Sequence, residues 1–179
     1  MVAIRFAFFV LALVFIMPRS SPAEDLSFAF EGDEDQRERF EDLQDSEDPP
    51  KWDLSDWENS DRLKLEDCKG KVVVLDFWAT WCGPCIASIP HNKEMVKKFG
   101  KDLIFIGVCH PRGSDKMDEV IEKHQIDYPV AIDEDGDTIK DYEVNGYPDY
   151  YIFDQNGTLV VADCANDAVE TVVERLLKK

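Results

Sequence analysis

The chain has no second C-x-x-C pair to match the one at Cys82 and Cys85: Cys68, Cys109 and Cys164 stand singly. A four-cysteine zinc site needs two such pairs, so that ligand set is excluded. Positive charge is also scarce, with 20 Lys and Arg against 38 Asp and Glu and a formal net charge of −18. So acidic a chain is repelled by phosphate backbones and anionic lipid, which argues against nucleic acid or an anionic membrane surface as partner. The apolar run from Phe6 to Met17 is shorter than a membrane span needs. No internal repeat is found.

Residues 1–23 read as a secretory signal peptide. Arg5 supplies a positive start, Phe6 to Met17 the apolar centre, and Ser21-Pro22-Ala23 small residues at the expected cleavage site. An uncleaved membrane anchor is the competing reading. No cysteine lies near the cleavage site, so lipid anchoring is not suggested, and the chain is expected to be exported and to work outside the cytoplasm. Residues 24–50 hold twelve Asp and Glu against Arg37 and Arg39 and end in Pro49-Pro50. Such a stretch buries too little apolar surface to offset its chain entropy, so the expectation is a disordered acidic spacer. A cation-binding or partner-docking tail is the alternative, and Leu26 to Phe30 is apolar enough to dock weakly.

Residues 51–179 have the length of one domain with a single core. Val72 to Ala79 is apolar almost throughout, as expected of a central strand covered on both faces. It leads into Trp81-Cys82-Gly83-Pro84-Cys85, after which Ile86, Ile89, Val96 and Phe99 recur at helical spacing, with Pro90 inside the pattern. The two cysteines thus fall at a strand-to-helix turn. Unpaired N–H groups and the positive end of the helix dipole there favour thiolate, making Cys82 a nucleophile. Cys85 is spaced to close a small disulfide ring with it, and Pro84 fits the first helical turn.

Asp76 interrupts the apolar strand. Burial disfavours its charged form and makes it a candidate proton acceptor or donor for the dithiol; a carboxyl that only satisfies hydrogen bonds at a polar edge is the alternative. Further strands are expected at Leu103 to Val108 and Val130 to Ile132, and helices around Met117 to His124 and Ile139 to Tyr142. Alternation of this kind implies crossover connections and a mainly parallel core. Tyr150 to Phe153, Asp154-Gln155-Asn156-Gly157 and Thr158 to Ala162 read as a hairpin with an Asn-Gly turn. A terminal helix follows, with Asp167 and Glu170 at capping-box spacing.

The string from Asp76 to Cys85 resembles the active-site stretch of the thioredoxin superfamily, and the match extends over about Trp52 to Lys179. Within it the chain looks most like exported thiol-disulfide oxidoreductases of the TlpA and ResA type. The stretches that carry this are Gly70 to Val74, Pro90, Ile106-Gly107-Val108, Tyr142 to Pro148 and Tyr151 to Gly157. The resemblance implies an α/β thioredoxin-like fold, a central mixed sheet flanked by helices. It makes Cys82–Cys85 the redox disulfide and Pro148 a cis-proline facing it, with Trp81 and Tyr147 beside the substrate. The implied activity is protein-disulfide reduction or exchange without a bound cofactor or metal. Its partners would be the thiols or disulfides of exported proteins and a membrane or extracytoplasmic thiol electron donor.

Two departures accompany the resemblance: Ser88 stands where this type often has Glu, and Asp76 where it often has a neutral amide. The bulky Tyr147 before the proline is a third unusual feature. Two other functions remain open at this stage. Cys82, Cys85 and His91 or His110 could hold copper as a metallochaperone-like module, since thiolates suit that metal. A thiol peroxidase is the other. His91, His110 and His124 otherwise read as surface or loop histidines, and the three single cysteines as free buried thiols.

Overall fold

The computed structural model describes residues 25–32 and 34–178. The signal-peptide reading of residues 1–23 lies outside them. Among the described residues no helix is long and apolar enough to cross a membrane.

Among the described residues the α-helices and strands are, in chain order, α1 (Glu34–Arg39), β1 (Ser55–Glu58), β2 (Val72–Trp78), α2 (Gly83–Phe99), β3 (Leu103–Cys109), α3 (Met117–His124), β4 (Val130–Ile132), α4 (Asp137–Asp141), β5 (Asp149–Phe153), β6 (Leu159–Cys164) and α5 (Val169–Leu177). The strands form one sheet in the order β1-β4-β3-β2-β5-β6. Parallel pairing is confined to β2–β3 and β3–β4; β1–β4, β2–β5 and β5–β6 are antiparallel. The sheet is therefore mixed, as expected, with β2, β3 and β4 parallel and the hairpin antiparallel; β1 adds an antiparallel edge that was not expected. That first strand was hidden in a polar stretch, because at the edge of the sheet its residues only alternate between part-buried and exposed.

β2 sits at the centre and is buried along its whole length, since both its neighbours and both its faces are covered. Its alternation divides the core. Val72, Val74 and Trp78 face α2, α3 and α5, packing with Ile89, Met95, Met117, Val172 and Val173. Val73, Leu75 and Phe77 face a largely aromatic layer of Phe40, Trp52, Tyr142, Tyr151 and Phe153. Tyr151 meets Phe77, Tyr142 and Phe40 edge to face, with centroids 5.3, 5.3 and 6.4 Å away.

Phe40 belongs to the stretch expected to be a disordered spacer, and the structure corrects that expectation. Leu26 and Ala29 are buried on the α2 face of the sheet, Phe40 and Leu43 on the other. The segment is an arm wrapped round the edge of the sheet. It bridges β6 at Phe30–Cys164 and Ser46–Leu159. Backbone bonds hold it there: Ala165 N–H to Ala29 O at 2.7 Å, Glu31 N–H to Asp163 O at 2.8 Å and Leu159 N–H to Ser46 O at 2.9 Å. The Gln44 side-chain amide adds bonds to Val160 O and from Ala162 N–H. The acidic composition concealed four apolar anchors, Leu26, Ala29, Phe40 and Leu43.

The capping box expected at the last helix is absent as well. Ala168 is the N-cap of α5 and makes no side-chain cap bond.

Candidate active site

Cys82 ends the turn after β2 and is the N-cap of α2, with extended backbone. Its Sγ accepts the Cys85 N–H at 3.2 Å, and its carbonyl accepts Ile86 N–H at 3.1 Å. Pro84 occupies the first turn, where its missing N–H leaves no helical bond unmade. The two sulfurs are joined, with 2.02 Å between them and 5.3 Å between the Cα atoms. Both cysteines are buried, whereas the neighbouring Trp81 is 47% exposed, so the indole forms the visible surface of the site.

The loop after β3 clamps the residues that precede Cys82. Thr80 Oγ1–H donates to Gly113 O at 2.7 Å, and Trp81 Nε1–H to Arg112 O at 2.9 Å. Gly113 has φ +86°, and a Cβ there would lie 2.8 Å from Thr80 Oγ1. Only glycine meets both conditions. The Arg112 guanidinium stacks 4.4 Å from the centre of the Trp81 ring.

The Tyr147–Pro148 peptide bond is cis. The Tyr147 ring lies 5.9 Å from Trp81 and 5.5 Å from His110, and Trp81 and His110 are 5.8 Å apart. The three rings close a triangle beside the dithiol. His110 Nδ1 accepts Arg112 N–H at 2.9 Å, leaving the neutral ring its proton on Nε2. Burial, followed by the Arg112 charge, lowers its pKa. Burial pushes the Tyr147 phenol up to about 12. Next to Pro148 a cleft is lined by Pro84, Asp149, Asp163 and, from the arm, Glu31 and Gly32.

Asp76 lies on the α2 face of β2, 4% exposed. Burial pushes its carboxyl up to about 8. Oδ2 accepts the Asn92 Nδ2–H at 3.1 Å, while Oδ1 is buried without a hydrogen-bond partner. Ser88, at the position where a Glu was noted as missing, donates to Pro84 O and accepts from Asn166 Nδ2–H, each at 3.1 Å.

Cys82 and Cys85 lie at the start of α2, Asp76 near the end of β2 with its hydrogen bond to Asn92 further along α2, and Trp81 meets Tyr147. The structure leaves the other cysteines apart. Cys68, Cys109 and Cys164 are free and buried, and β2 and β5 separate the strands of Cys109 and Cys164. Burial pushes the Cys68 thiol up to about 11 and the Cys109 thiol up to about 12, and raises that of Cys164 too. Among the described residues no group of three His, Cys, Asp or Glu is arranged to hold a metal ion. His91 instead lies 3.6 Å from Glu170.

Sequence reasoning missed two groups. His110 and Arg112 fall in the loop after β3, and only the ring contacts reveal them as part of the rim. Asn92 was passed over, although it falls seven residues after Cys85 and so on the same helix face.

A β-α-β half carrying a dithiol at the strand-to-helix turn, followed by a cis-proline, a hairpin and a helix, defines a thioredoxin-like protein. The chain belongs to the AhpC/TSA family, whose model it matches over residues 46–162. Thiol-disulfide oxidoreductase ResA of Bacillus thuringiensis subsp. konkukian (strain 97-27) is 31% identical over 119 residues, covering 66% of this chain and 68% of the relative. Thioredoxin-like protein YneN of Bacillus subtilis (strain 168) is 32% identical over 104 residues, covering 56% and 61%. Among solved structures, the pneumococcal exposed lipoprotein thioredoxin Etrx1 of Streptococcus pneumoniae strain TIGR4 superposes with a TM-score of 0.57 at 30% identity, covering 71% of this chain and 100% of the other.

Proposed function

We propose that the protein is a thiol-disulfide oxidoreductase that works outside the cytoplasm, reducing disulfides of exported proteins. The observation that carries the reading is the Cys82–Cys85 pair at the start of α2, where Cys82 Sγ accepts the Cys85 N–H. The same N–H and the helix dipole stabilise a thiolate on Cys82 once the pair is reduced. That thiolate attacks one sulfur of a substrate disulfide, forming a mixed disulfide and expelling the first substrate thiolate. Cys85 then passes its proton to Asp76 and attacks the Cys82 sulfur. The substrate's second thiolate leaves with the electron pair and takes a proton from water, and the protein disulfide is restored.

The remaining parts have supporting roles. Pro148 carries no N–H, and by the resemblance the backbone of Tyr147 before it is left to pair with an incoming peptide. Trp81 and Tyr147 flank that approach. An extracytoplasmic thiol protein returns two electrons to Cys82–Cys85. The export reading rests on residues 1–23, and the reducing direction on the Gly83-Pro84 pair, which resembles that of reducing thioredoxins.

The test is the reduction potential of the pair, measured by equilibrating the protein with defined thiol buffers and reading Trp78 and Trp81 fluorescence. A value near roughly −270 mV supports a reductant, and one near roughly −120 mV makes the protein an oxidant instead. Absence of a two-electron transition overturns the redox function.

A further inference from the structure

The inner face of α2 is not uniformly apolar. Cys85, Ser88 and Asn92 are buried at intervals of three and four residues, so a polar stripe runs two turns down from the disulfide. Asn92 is 1% exposed. A carboxamide at such a site loses its hydration, whereas a leucine of similar size would pack there without that loss. Core packing alone does not account for an asparagine. The bond from its Nδ2–H to Asp76 Oδ2 does, since it is the hydrogen bond that this buried carboxyl makes.

We propose that Asn92 is a positioning residue for the exchange reaction: by donating to Oδ2 it fixes the Asp76 carboxyl and leaves Oδ1 free to take the proton of Cys85. The proposal rests on the reading of Asp76 as the acid-base group. It adds what makes that carboxyl usable. Burial favours the neutral acid, which has no basicity to offer. An N–H aimed at one oxygen favours the carboxylate and opposes that tendency. Oδ1, buried and without a partner, is the atom left to exchange a proton.

The Asn92 amide also interacts with the Tyr128 and Tyr150 hydroxyls, but the Tyr150 hydroxyl makes no hydrogen bond of its own to the carboxyl, so the bond from Asn92 is the one that reaches Asp76. Gly107, its neighbour on β3, has no side chain, and Tyr150 stands opposite on β5. The Tyr150 and Tyr128 hydroxyls are both raised by burial, with the Asp76 charge adding to it, so they remain neutral. Cys85, on α2, is the proton's source. The step balances: the Cys85 S–H bond breaks, an O–H bond forms on Asp76, and the sulfur's electron pair makes the new bond to Cys82.

The experiment reacts the reduced protein with a nitrobenzoate disulfide, whose first aryl thiolate reports attack by Cys82 and whose second reports resolution by Cys85. Asn92→Leu is expected to slow the second release about tenfold near neutral pH and to move the midpoint of its pH profile upward by about one unit. In an Asp76→Asn background the same substitution is expected to change the rate by less than about twofold, because its target is gone. Equal slowing in both backgrounds overturns the proposal in favour of packing. If Asp76→Asn is slow while Asn92→Leu behaves as the parent, Asn92 is dismissed and the Asp76 reading stands. If Asp76→Asn itself resolves at the parent rate, both fall. Asn92→Ala introduces no bulk and carries the same expectations should the leucine variant not fold.

Discussion

The Trp81 indole meets the Tyr147 phenol edge to face, with 5.9 Å between ring centroids, so the residue before Cys82 touches the residue before Pro148 across the mouth of the site. Such a contact is worth about 1 kcal/mol and holds the two rings against each other next to Cys82. Tyr147→Ala removes this contact and opens the approach, while Arg112 still holds the indole. Alkylation of Cys82 in the reduced protein should accelerate roughly two- to tenfold, following that energy. An unchanged alkylation rate means that the ring does not shield the thiol.

Asp76 makes stability fall as pH rises. Its folded pKa of about 8 lies above the ordinary value of 3.8, so between those limits the folded state binds more protons than the unfolded state. The neutral acid is fully accommodated below the lower value, and the penalty grows up to the higher one. Asp76→Asn removes the titration. In the oxidised protein it should raise unfolding free energy at pH 7 by on the order of 4 kcal/mol, with the gain vanishing near pH 4. Denaturant midpoints across that range check this, and a constant difference would contradict it.

The arm is anchored chiefly by Phe40, fully buried against Tyr151. Phe40→Ala should destabilise the oxidised protein by about 3 kcal/mol, the usual loss for a buried aromatic ring. A denaturant titration reading tyrosine and tryptophan emission would detect it. A loss below about 0.5 kcal/mol would show that the segment is only loosely held.

Gly113→Ala forces a methyl group to within 2.8 Å of Thr80 Oγ1 at a φ of +86°. The strain should cost about 1–3 kcal/mol. The clash falls on the Thr80 and Trp81 clamps, so Trp81 emission should shift toward the spectrum of a solvated indole. A stable variant with unaltered emission would mean that the loop yields without disturbing the site.

Native reduced protein treated with a thiol reagent at neutral pH should react first at Cys82. Cys68, Cys109 and Cys164 are buried, and their raised thiol pKa values leave little thiolate. Mass analysis of time points gives the order of labelling. Early modification of any of these three contradicts the burial described for it.

The dithiol, the central strand and the hairpin were readable because each depends on local signals: a fixed cysteine spacing, an unbroken apolar run, an Asn-Gly turn. What escaped depends on long-range contacts. Phe40 and Leu43 look like isolated apolar residues in an acidic tract until β6 offers them an edge to lie against. Ser55 to Glu58 alternates too weakly to suggest a strand and is defined by its pairing with β4. The hydroxyl of Ser88 and the amide of Asn92 gain meaning only when α2 is laid over β2. Asp76 is the intermediate case: its position in an apolar strand announced burial, but not the amide that meets it.

The arm's backbone bonds to β6 have one more consequence. A strand end with unpaired N–H and C=O groups is a template on which another chain can add itself, and β6 would be such a strand without its cover. By capping those groups with the protein's own acidic segment, the fold spends a stretch of unpromising composition on guarding against aggregation. The charges along it keep other copies at a distance while the few apolar residues hold it in place.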